Sequence, residues 1–394
     1  MKAFVNNIIT YIEFIILYYI MATNNPFLTE QIITYMGNKR KLLTIIGDTI
    51  DDIKTKHDIN NLSIGDGFSG SGVVSRLFKT KATKLLSNDI AGYSFSLNNC
   101  YLSTPSSSDV NKIKKFIDTA NSLADDFEQN IPEPWISKHW APQNNTVSQK
   151  DRAYFTRENG RRIDIIRDFI TTIPKKYQPY LLSPLLVEAS IHNNTNGQFS
   201  AFYKDGSVGA FGGKKSVDTK RITQPIRLPY PIFNSNKCTV HSTCSDTNDW
   251  VKTFANTDPL DIVYYDPPYN KHPYNIYYFL LDIIYNWDKT IDIPDTNRGQ
   301  PLNWTKSPFN SSVHAKNALN SLIDNTNAKF IVLSYNDGGI IPIPQLDDLL
   351  NSISKNVDKI PIDHKTYNRL KGISNYKREK EYKDVKEFLY VIQK

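Results

Sequence analysis

A carboxylate, two prolines and a tyrosine follow a short apolar run in this 394-residue chain. Residues 262–265 have the composition of a buried strand, and Pro267 and Pro268 prevent that strand from continuing in register. The prolines also remove two amide donors, so the Pro267 carbonyl oxygen can act as an acceptor beside an ionised Asp266. Two neighbouring acceptors suit an amino group with two hydrogens, and Tyr269 offers a ring for stacking. These four residues predict a site for an aromatic amine.

A second candidate site is the glycine-rich stretch GDGFSGSG at residues 65–72, which follows a short predicted strand at 60–64. Gly70 and Gly72 let the backbone approach a ligand closely and turn into a helix. The stretch lacks the full G-x-G-x-x-G spacing and has no P-loop lysine, which disfavours NAD and ATP. Asp89 ends the next predicted strand, where an acid can hold ribose hydroxyls. The pattern predicts a cofactor that contains adenosine.

The order strand, glycine loop, helix, strand and acid is the opening half of a doubly wound α/β sheet. Ligands bind such sheets outside the carboxyl ends of the strands, so we expect the glycine loop and Asp266 at one edge. The other elements predicted for this layer are helices at 29–55, 93–102 and 275–287 and strands at 84–90, 260–266, 329–335 and 387–393.

Residues 103–245 differ in kind from the segments on either side. They are polar and rich in proline, and residues 206–215 read GSVGAFGGKK, so we expect a mainly helical insert with a mobile loop. Residues 151–240 hold fourteen Lys and Arg against seven Asp and Glu, which accounts for the whole net charge of +7. Such a segment fits a phosphate-binding surface, although a merely solvated basic face explains the charge equally well.

The cysteine count and the N-terminal residues indicate the compartment in which the protein works. Three cysteines are too few for a disulfide framework and indicate a reducing compartment, so we expect a cytoplasmic protein. Cys238, His241 and Cys244 lie close together, but no second cysteine pair completes a tetrahedral set, and we expect no metal. The apolar run FIILYYIM is too short to span a membrane. We interpret residues 1–27 as an N-terminal extension, with Met21 as the natural start.

Three motifs in order resemble the amino-group DNA methyltransferases. They are YMGNK at 35–39, FSGSG at 68–72 and DPPY at 266–269. The cofactor motifs come first, a target-recognition segment follows, and the DPPY strand comes after it, as in the alpha-type, Dam-like adenine methylases. The resemblance covers the chain from about residue 28. The stretches YNKHPYNIYYFLLDII and LSYNDGG also resemble a subgroup found in restriction–modification systems.

The resemblance implies a fold, a cofactor and partners. The fold is a Rossmann-like doubly wound methyltransferase sheet, with a cofactor-binding part at 28–102, a target-recognition insert at 103–245 and a catalytic part at 246–394. The methyl donor is S-adenosyl-methionine, and the substrate is double-stranded DNA with one flipped adenine. The protein is expected to be a monomer on DNA, with a cognate restriction endonuclease as a candidate partner.

The resemblance also assigns roles to individual residues. Lys39 would meet the carboxylate of the cofactor, and Asp266 would lie between the cofactor and the target amine. The residues implied to bind the cofactor are Tyr35, Lys39, Asp66, Phe68, Gly70, Asp89 and Asp266. The residues implied to be catalytic are Asp266, Pro267, Pro268 and Tyr269.

The basic insert would then read the DNA sequence. Asn and Gln can address adenine edges and Arg guanine edges, while Lys meets phosphate. The candidate DNA contacts are Arg161, Arg162, Asn196, Gln198, Lys214 and Lys215. The tail residues Arg369, Lys371, Lys377 and Arg378 are further candidates for phosphate contacts.

Two other functions stay open at this point. One is an RNA or cytosine amino-methyltransferase, because the same acceptor pair would serve another aromatic amine. The other is a catalytically inactive DNA-binding relative, which the presence of Lys39, Asp89 and Asp266 disfavours.

Overall fold

A computed structural model of the chain describes residues 25–126, 128–144, 146–271, 273–302, 307–363 and 386–394. Most of the predicted N-terminal extension and the basic tail residues at 369–378 lie outside the described residues, so those interpretations stay predictions. Within the described ranges, no helix is long and apolar enough to cross a bilayer. In the same ranges, no group of three His, Cys, Asp or Glu side chains is placed to hold a metal ion.

A seven-stranded sheet forms the centre of the fold. The strands in chain order are β1 (Ser63–Asp66), β2 (Lys84–Asp89), β3 (Lys204–Asp205), β4 (Val208–Gly209), β5 (Thr239–Cys244), β6 (Leu260–Tyr265), β7 (Ala328–Asn336), β8 (Val357–Asp363) and β9 (Lys386–Gln393). All except the β3–β4 hairpin join one sheet in the order β5-β2-β1-β6-β7-β9-β8. Neighbours from β5 to β7 are parallel, and β9 is antiparallel to both β7 and β8. The predicted α/β class and doubly wound sheet are confirmed.

Helices cover both faces of this sheet. They are α1 (Pro26–Thr29), α2 (Leu43–Lys56), α3 (Val73–Lys81), α4 (Gly92–Tyr101), α5 (Ser107–Asp125), α6 (Ile136–His139), α7 (Arg157–Thr172), α8 (Pro179–Ile191), α9 (Thr219–Thr223), α10 (Thr247–Trp250), α11 (Tyr274–Asn286), α12 (Ala315–Asn325) and α13 (Ile343–Ile353). β6 is buried at every position, as expected for a central parallel strand covered on both faces. Apolar side chains from α2 and α3 pack on one face, and those from α12 and α13 pack on the other.

The structure corrects two boundaries expected from the sequence. The helix predicted over 29–55 is shorter, because Gly37 adopts a left-handed φ of +73° and the chain turns before α2 begins. The predicted insert, 103–245, is mainly helical through α5, α7 and α8, but it ends earlier than expected. Its last residues form β5, which pairs with β2 along its whole length. The sequence TVHSTC did not predict a strand, because β5 lies partly exposed at the sheet edge and its residues are largely polar.

Arg76 fastens the N-terminal segment onto α3. It is 1% exposed, and its guanidinium donates to the carbonyl oxygens of Phe27 (3.0 Å), Glu30 (2.8 Å) and Gln31 (2.7 Å). The same group lies 4.1 Å from the centroid of the Tyr101 ring. Because the fastened segment leads directly into the YMGNK motif, this contact helps to place that motif on the sheet.

Replacing Arg76 by methionine should destabilise the fold, because three carbonyl oxygens, that of Phe27 fully buried, lose their donor. We expect the free energy of unfolding to fall by roughly 2–4 kcal/mol in urea denaturation. Arg157→Met, the same change at an exposed position of α7, is the control and should cost less than about 0.5 kcal/mol. Equal losses in the two variants would contradict the role given to Arg76.

Candidate functional site

The carboxyl ends of β1, β2 and β6 open into one cavity of about 1050 Å³. Asp66 is level with Ser87 on β2 and Tyr264 on β6, so Asp89 and Asp266 each stand two residues beyond that level. Strand order reverses between β1 and β6, which is where open α/β sheets bind ligands. The cavity brings together these residues predicted for the site: Tyr35, Lys39, Phe68, Gly70, Asp89, Asp266 and Pro268.

A buried ion-pair cluster lies at the DPPY end of the cavity. The Lys39 Nζ is 2.6 Å from Glu387 Oε1 and 3.3 Å from Asp266 Oδ1. It also donates to the Tyr269 hydroxyl at 3.3 Å, and the Lys39 side chain is 4% exposed. Burial alone lowers the pKa of Lys39, but the surrounding acidic groups, Asp266 foremost, raise it well above its usual value. The lysine is therefore an ammonium ion shared between two carboxyl groups.

Asp266 lies at the mouth of the cavity beside the Lys39 ammonium. Its Oδ1 is buried and lies 3.3 Å from the Lys39 Nζ. Burial raises the pKa of Asp266 to about 7, against the opposing effect of Lys39. Because the side chain also lines the cavity, the geometry suits a ligand that donates a hydrogen bond to it.

Tyr35 lies in a stack of rings that joins the YMGNK motif to α11. Its ring is stacked on Tyr274, with centroids 5.1 Å apart, and on Tyr278, with centroids 4.9 Å apart. The Tyr35 ring also crosses the glycine loop, where a Cβ on Gly70 would stand 2.8 Å from a ring carbon. Gly70 has a φ of +50° as well, so only glycine suits this position. The predicted cofactor residues Tyr35 and Gly70 are thus in direct contact.

Two carboxyl groups face the other end of the cavity. Asp89 accepts hydrogen bonds from the backbone N–H groups of Gly70 at 2.7 Å and Ala91 at 2.9 Å. Burial raises the pKa of Asp89 to about 6. Asp282 on α11 lines the same cavity, and its pKa is raised to about 7 by burial and by Asp89. A ligand that carries hydroxyl or ammonium groups would satisfy both carboxyl groups.

Sequence reasoning missed two of the acids around this cavity. Asp282 sits within the apolar run YYFLLDIIYN, where an acid has no reason to be buried without a partner. Glu387 opens the apolar strand EFLYVIQ and is 5% exposed. In both cases the available signal was an acid within or at the start of a segment predicted to be buried.

Three residues predicted for the site are not among those that line the cavity: Asp66, Pro267 and Tyr269. Asp66 is fully buried, and its Oδ2 accepts a hydrogen bond from Ser75 Oγ at 2.5 Å, which ties β1 to α3. We therefore leave Asp66 out of the proposed cofactor contacts. The Tyr269 ring is partly exposed and meets Tyr335 edge-on, with centroids 5.8 Å apart. Stacking of a base on Tyr269 stays a prediction.

The structure corrects the prediction that Arg162 contacts DNA. Arg162 is 4% exposed, and its guanidinium is paired at 2.9 Å with both Asp125 and Glu158. It also donates to the Ile226 carbonyl oxygen at 3.3 Å. Arg161 donates to carbonyl oxygens at and beyond the carboxyl end of α5. Both arginines hold the insert together, so we do not carry them into the DNA-contacting set.

The other candidate DNA contacts lie on loops of the insert, and one of them, Gln198, touches a residue that lines the cavity. Buried Asn194 anchors them by hydrogen bonds to backbone groups at Ala153 and in the segment from Ala210 to Gly212. Asn196 is exposed, and the Gln198 Nε2 lies 3.5 Å from the sulfur of the YMGNK methionine, next to the cavity. Lys214 and Lys215 are exposed on a short 3₁₀ turn that follows β4. These four residues stay candidates for contact with DNA.

Comparisons with known proteins agree with this geometry. The family profile of the D12 class N6 adenine-specific DNA methyltransferase matches residues 35–349. The type II methyltransferase M.NlaIII of Neisseria lactamica is 27% identical, over 91% of this chain and 99% of its own length. The type II methyltransferase M.CviAII of Paramecium bursaria Chlorella virus 1 is 26% identical, over 91% and 98%. These matches confirm that the methylated substrate is adenine in DNA, rather than cytosine or RNA. The chain belongs to the D12 class of N6 adenine-specific DNA methyltransferases.

Proposed function

We propose that this enzyme takes the methyl group from S-adenosyl-methionine and transfers it to an adenine flipped out of duplex DNA, as the modification partner of a restriction endonuclease. The observation that carries the proposal is the position of Asp266, whose carboxyl group lines the same cavity as the glycine loop and is paired with the buried Lys39 ammonium. When bound, S-adenosyl-methionine supplies a methyl group activated by a positively charged sulfur.

Sequencing of modified bases tests the proposal in cells. DNA from cells that express this chain should carry N6-methyladenine at one short recurring sequence, and DNA from cells without it should not. A lack of modified adenine would count against methyl transfer to DNA. Modification scattered without a common sequence would count against a role as partner of a sequence-specific endonuclease.

The acceptors and rings that line the cavity fit the proposed cofactor. Asp89 and Asp282 present carboxyl oxygens to the same volume, where they can accept hydrogen bonds from ribose hydroxyls or from an amino group. Phe68 and Tyr35 line the cavity with rings that can cover apolar and planar parts of a ligand. The backbone at Gly70 lets a ligand approach the sheet edge closely. The cavity lies at the upper end of the size range of small-molecule sites.

Asp282→Asn should weaken cofactor binding, because the variant removes a charged acceptor from the cavity. We expect the dissociation constant of sinefungin, a non-reactive analogue, to rise about tenfold or more in isothermal titration calorimetry. Asp358→Asn, at an exposed position of β8, makes the same change elsewhere and should leave the affinity unchanged. Equal affinities in Asp282→Asn and the native protein would remove Asp282 from the cofactor site.

The DPPY residues would prepare the target amine for attack. Extrusion of the adenine costs a few kcal/mol, and stacking in the pocket returns part of that cost. Asp266 and the Pro267 carbonyl oxygen then accept the two amino hydrogens. This pairing favours a tetrahedral nitrogen and stabilises the positive charge that develops on it. Alignment of the amine with the methyl group supplies much of the rate, and no covalent enzyme intermediate is needed.

Asp266→Ala should abolish methyl transfer while DNA binding persists. Loss of this acceptor should lower kcat by at least about a hundredfold, measured by transfer of labelled methyl groups to DNA. Gel-shift affinity for DNA should stay close to that of the native protein. The control, Asp258→Ala, alters an exposed acid just before β6 and should turn over normally. Native-like turnover in Asp266→Ala would overturn the assigned role.

The exposed loops around residues 196–215 would form the DNA-reading edge beside the cavity. Asn196 and Gln198 have side chains that can address adenine edges, and Lys214 and Lys215 suit phosphate. Their support is position: the loop that carries Gln198 touches the YMGNK motif, and the two lysines are exposed. The DNA would thus lie across the cavity mouth.

Simultaneous replacement of Lys214 and Lys215 by alanine should weaken DNA binding for all sequences alike. Each lost phosphate contact should also reduce the slope of log affinity against log salt by about one. The slope for the double variant should therefore be smaller by about two. Lys355→Ala, at an exposed position next to β8, is the control. An unchanged salt slope in the double variant would place the DNA elsewhere on the protein.

A further inference from the structure

Glu387 reaches Lys39 only because β9 runs antiparallel to β7. The parallel strands β1, β2, β6 and β7 all end at the cavity edge, and β9 pairs antiparallel with β7, with Glu387 opposite Asn336. The first residues of β9 therefore lie at the same edge as the last residues of its neighbours. A parallel strand of the same sequence would have placed this acid at the opposite edge.

The cluster around Lys39 contains one carboxyl group more than the lysine needs. Asp266 alone could form a full ion pair with the buried ammonium. A second carboxylate in the interior is costly unless it is paired. The Lys39 Nζ nevertheless sits closer to Glu387, at 2.6 Å, than to Asp266, at 3.3 Å. Lys39 therefore makes a short hydrogen bond with Glu387, and its contact with Asp266 Oδ1 is the longer of the two.

We infer that Glu387 is a positioning residue. It holds the Lys39 ammonium away from Asp266, so that a carboxylate oxygen of Asp266 can accept a hydrogen bond from the target amine. The inference rests on the proposed function and explains how Asp266 stays able to accept a hydrogen bond. Without Glu387, the ammonium would close on Asp266 and occupy the lone pairs that the adenine amine needs. Glu387 acts on the reaction only through Lys39.

Charge effects at Asp266 agree with this arrangement. After burial, which raises the pKa of Asp266 most, the Lys39 ammonium lowers it and the Glu387 carboxylate raises it. Removal of the Glu387 charge should therefore lower the pKa of Asp266, and a closer ammonium would lower it further. The titratable groups that face Asp266 are Lys39, Asp66, Tyr264, Tyr269, Tyr274 and Glu387.

The test compares the native protein with Glu387→Gln. The Asp266 side chain is titrated in ligand-free protein labelled with ¹³C at aspartate carboxyl carbons, and its NMR signal is assigned by its loss in Asp266→Asn. The midpoint should fall by about one pH unit in Glu387→Gln. The kcat for methyl transfer should fall about tenfold or more, and sinefungin affinity should change little. A shift in both midpoint and kcat supports the inference.

An unchanged or raised midpoint contradicts the inference, and so does an unchanged kcat. Asp347→Asn is the matched control, because Asp347 accepts a hydrogen bond from Tyr390 of the same strand at 2.8 Å outside the cavity. It should leave the midpoint where it is. If Glu387→Gln does not fold, Glu387→Asp replaces it and should give a smaller shift in the same direction. If the native protein transfers no methyl group, the proposed function is refuted. The titration midpoint of Asp266 still tests the position of Lys39 in that case.

Discussion

The burial of one ammonium ion is the constraint on which the site depends. Lys39 comes from the N-terminal motif, Asp266 follows a central strand, and Glu387 begins the last strand, yet the three meet within hydrogen-bond and ion-pair distance. A buried charge must keep its partners, because an unpaired one is strongly destabilising. Asp266 therefore reaches its final environment only when the YMGNK motif and β9 are both in place.

Much of the site could be predicted, because strand ends in a doubly wound sheet meet at one edge. Asp89 and Asp266 each follow an apolar run, and the fold rule alone places them beside the glycine loop. The DPPY sequence added the chemistry, since two prolines leave acceptors and no donors at the end of a buried strand. Tyr35 and Lys39 were found only through the resemblance, because nothing in their spacing indicates that they fold back onto the loop.

The rest depends on features that a sequence does not carry. The position of Glu387 follows from the direction of β9, and an apolar strand pattern is the same in either direction. The arginines of α7 read as a basic face, but the guanidinium of Arg162 is enclosed by acids from two helices and by a carbonyl oxygen. β5 was missed because an edge strand needs few apolar residues. Charge and periodicity define what a segment can do, whereas packing decides which partner it meets.

The most direct test of the account is a structure of the protein with sinefungin and DNA that contains the mapped recognition sequence. A flipped adenine should lie in the cavity, with its amino nitrogen within hydrogen-bond distance of the Asp266 carboxylate and the Pro267 carbonyl oxygen. Lys39 should remain on Glu387 in that complex. An adenine held outside the cavity, or a Lys39 ammonium inserted between the base and Asp266, would contradict the central claim.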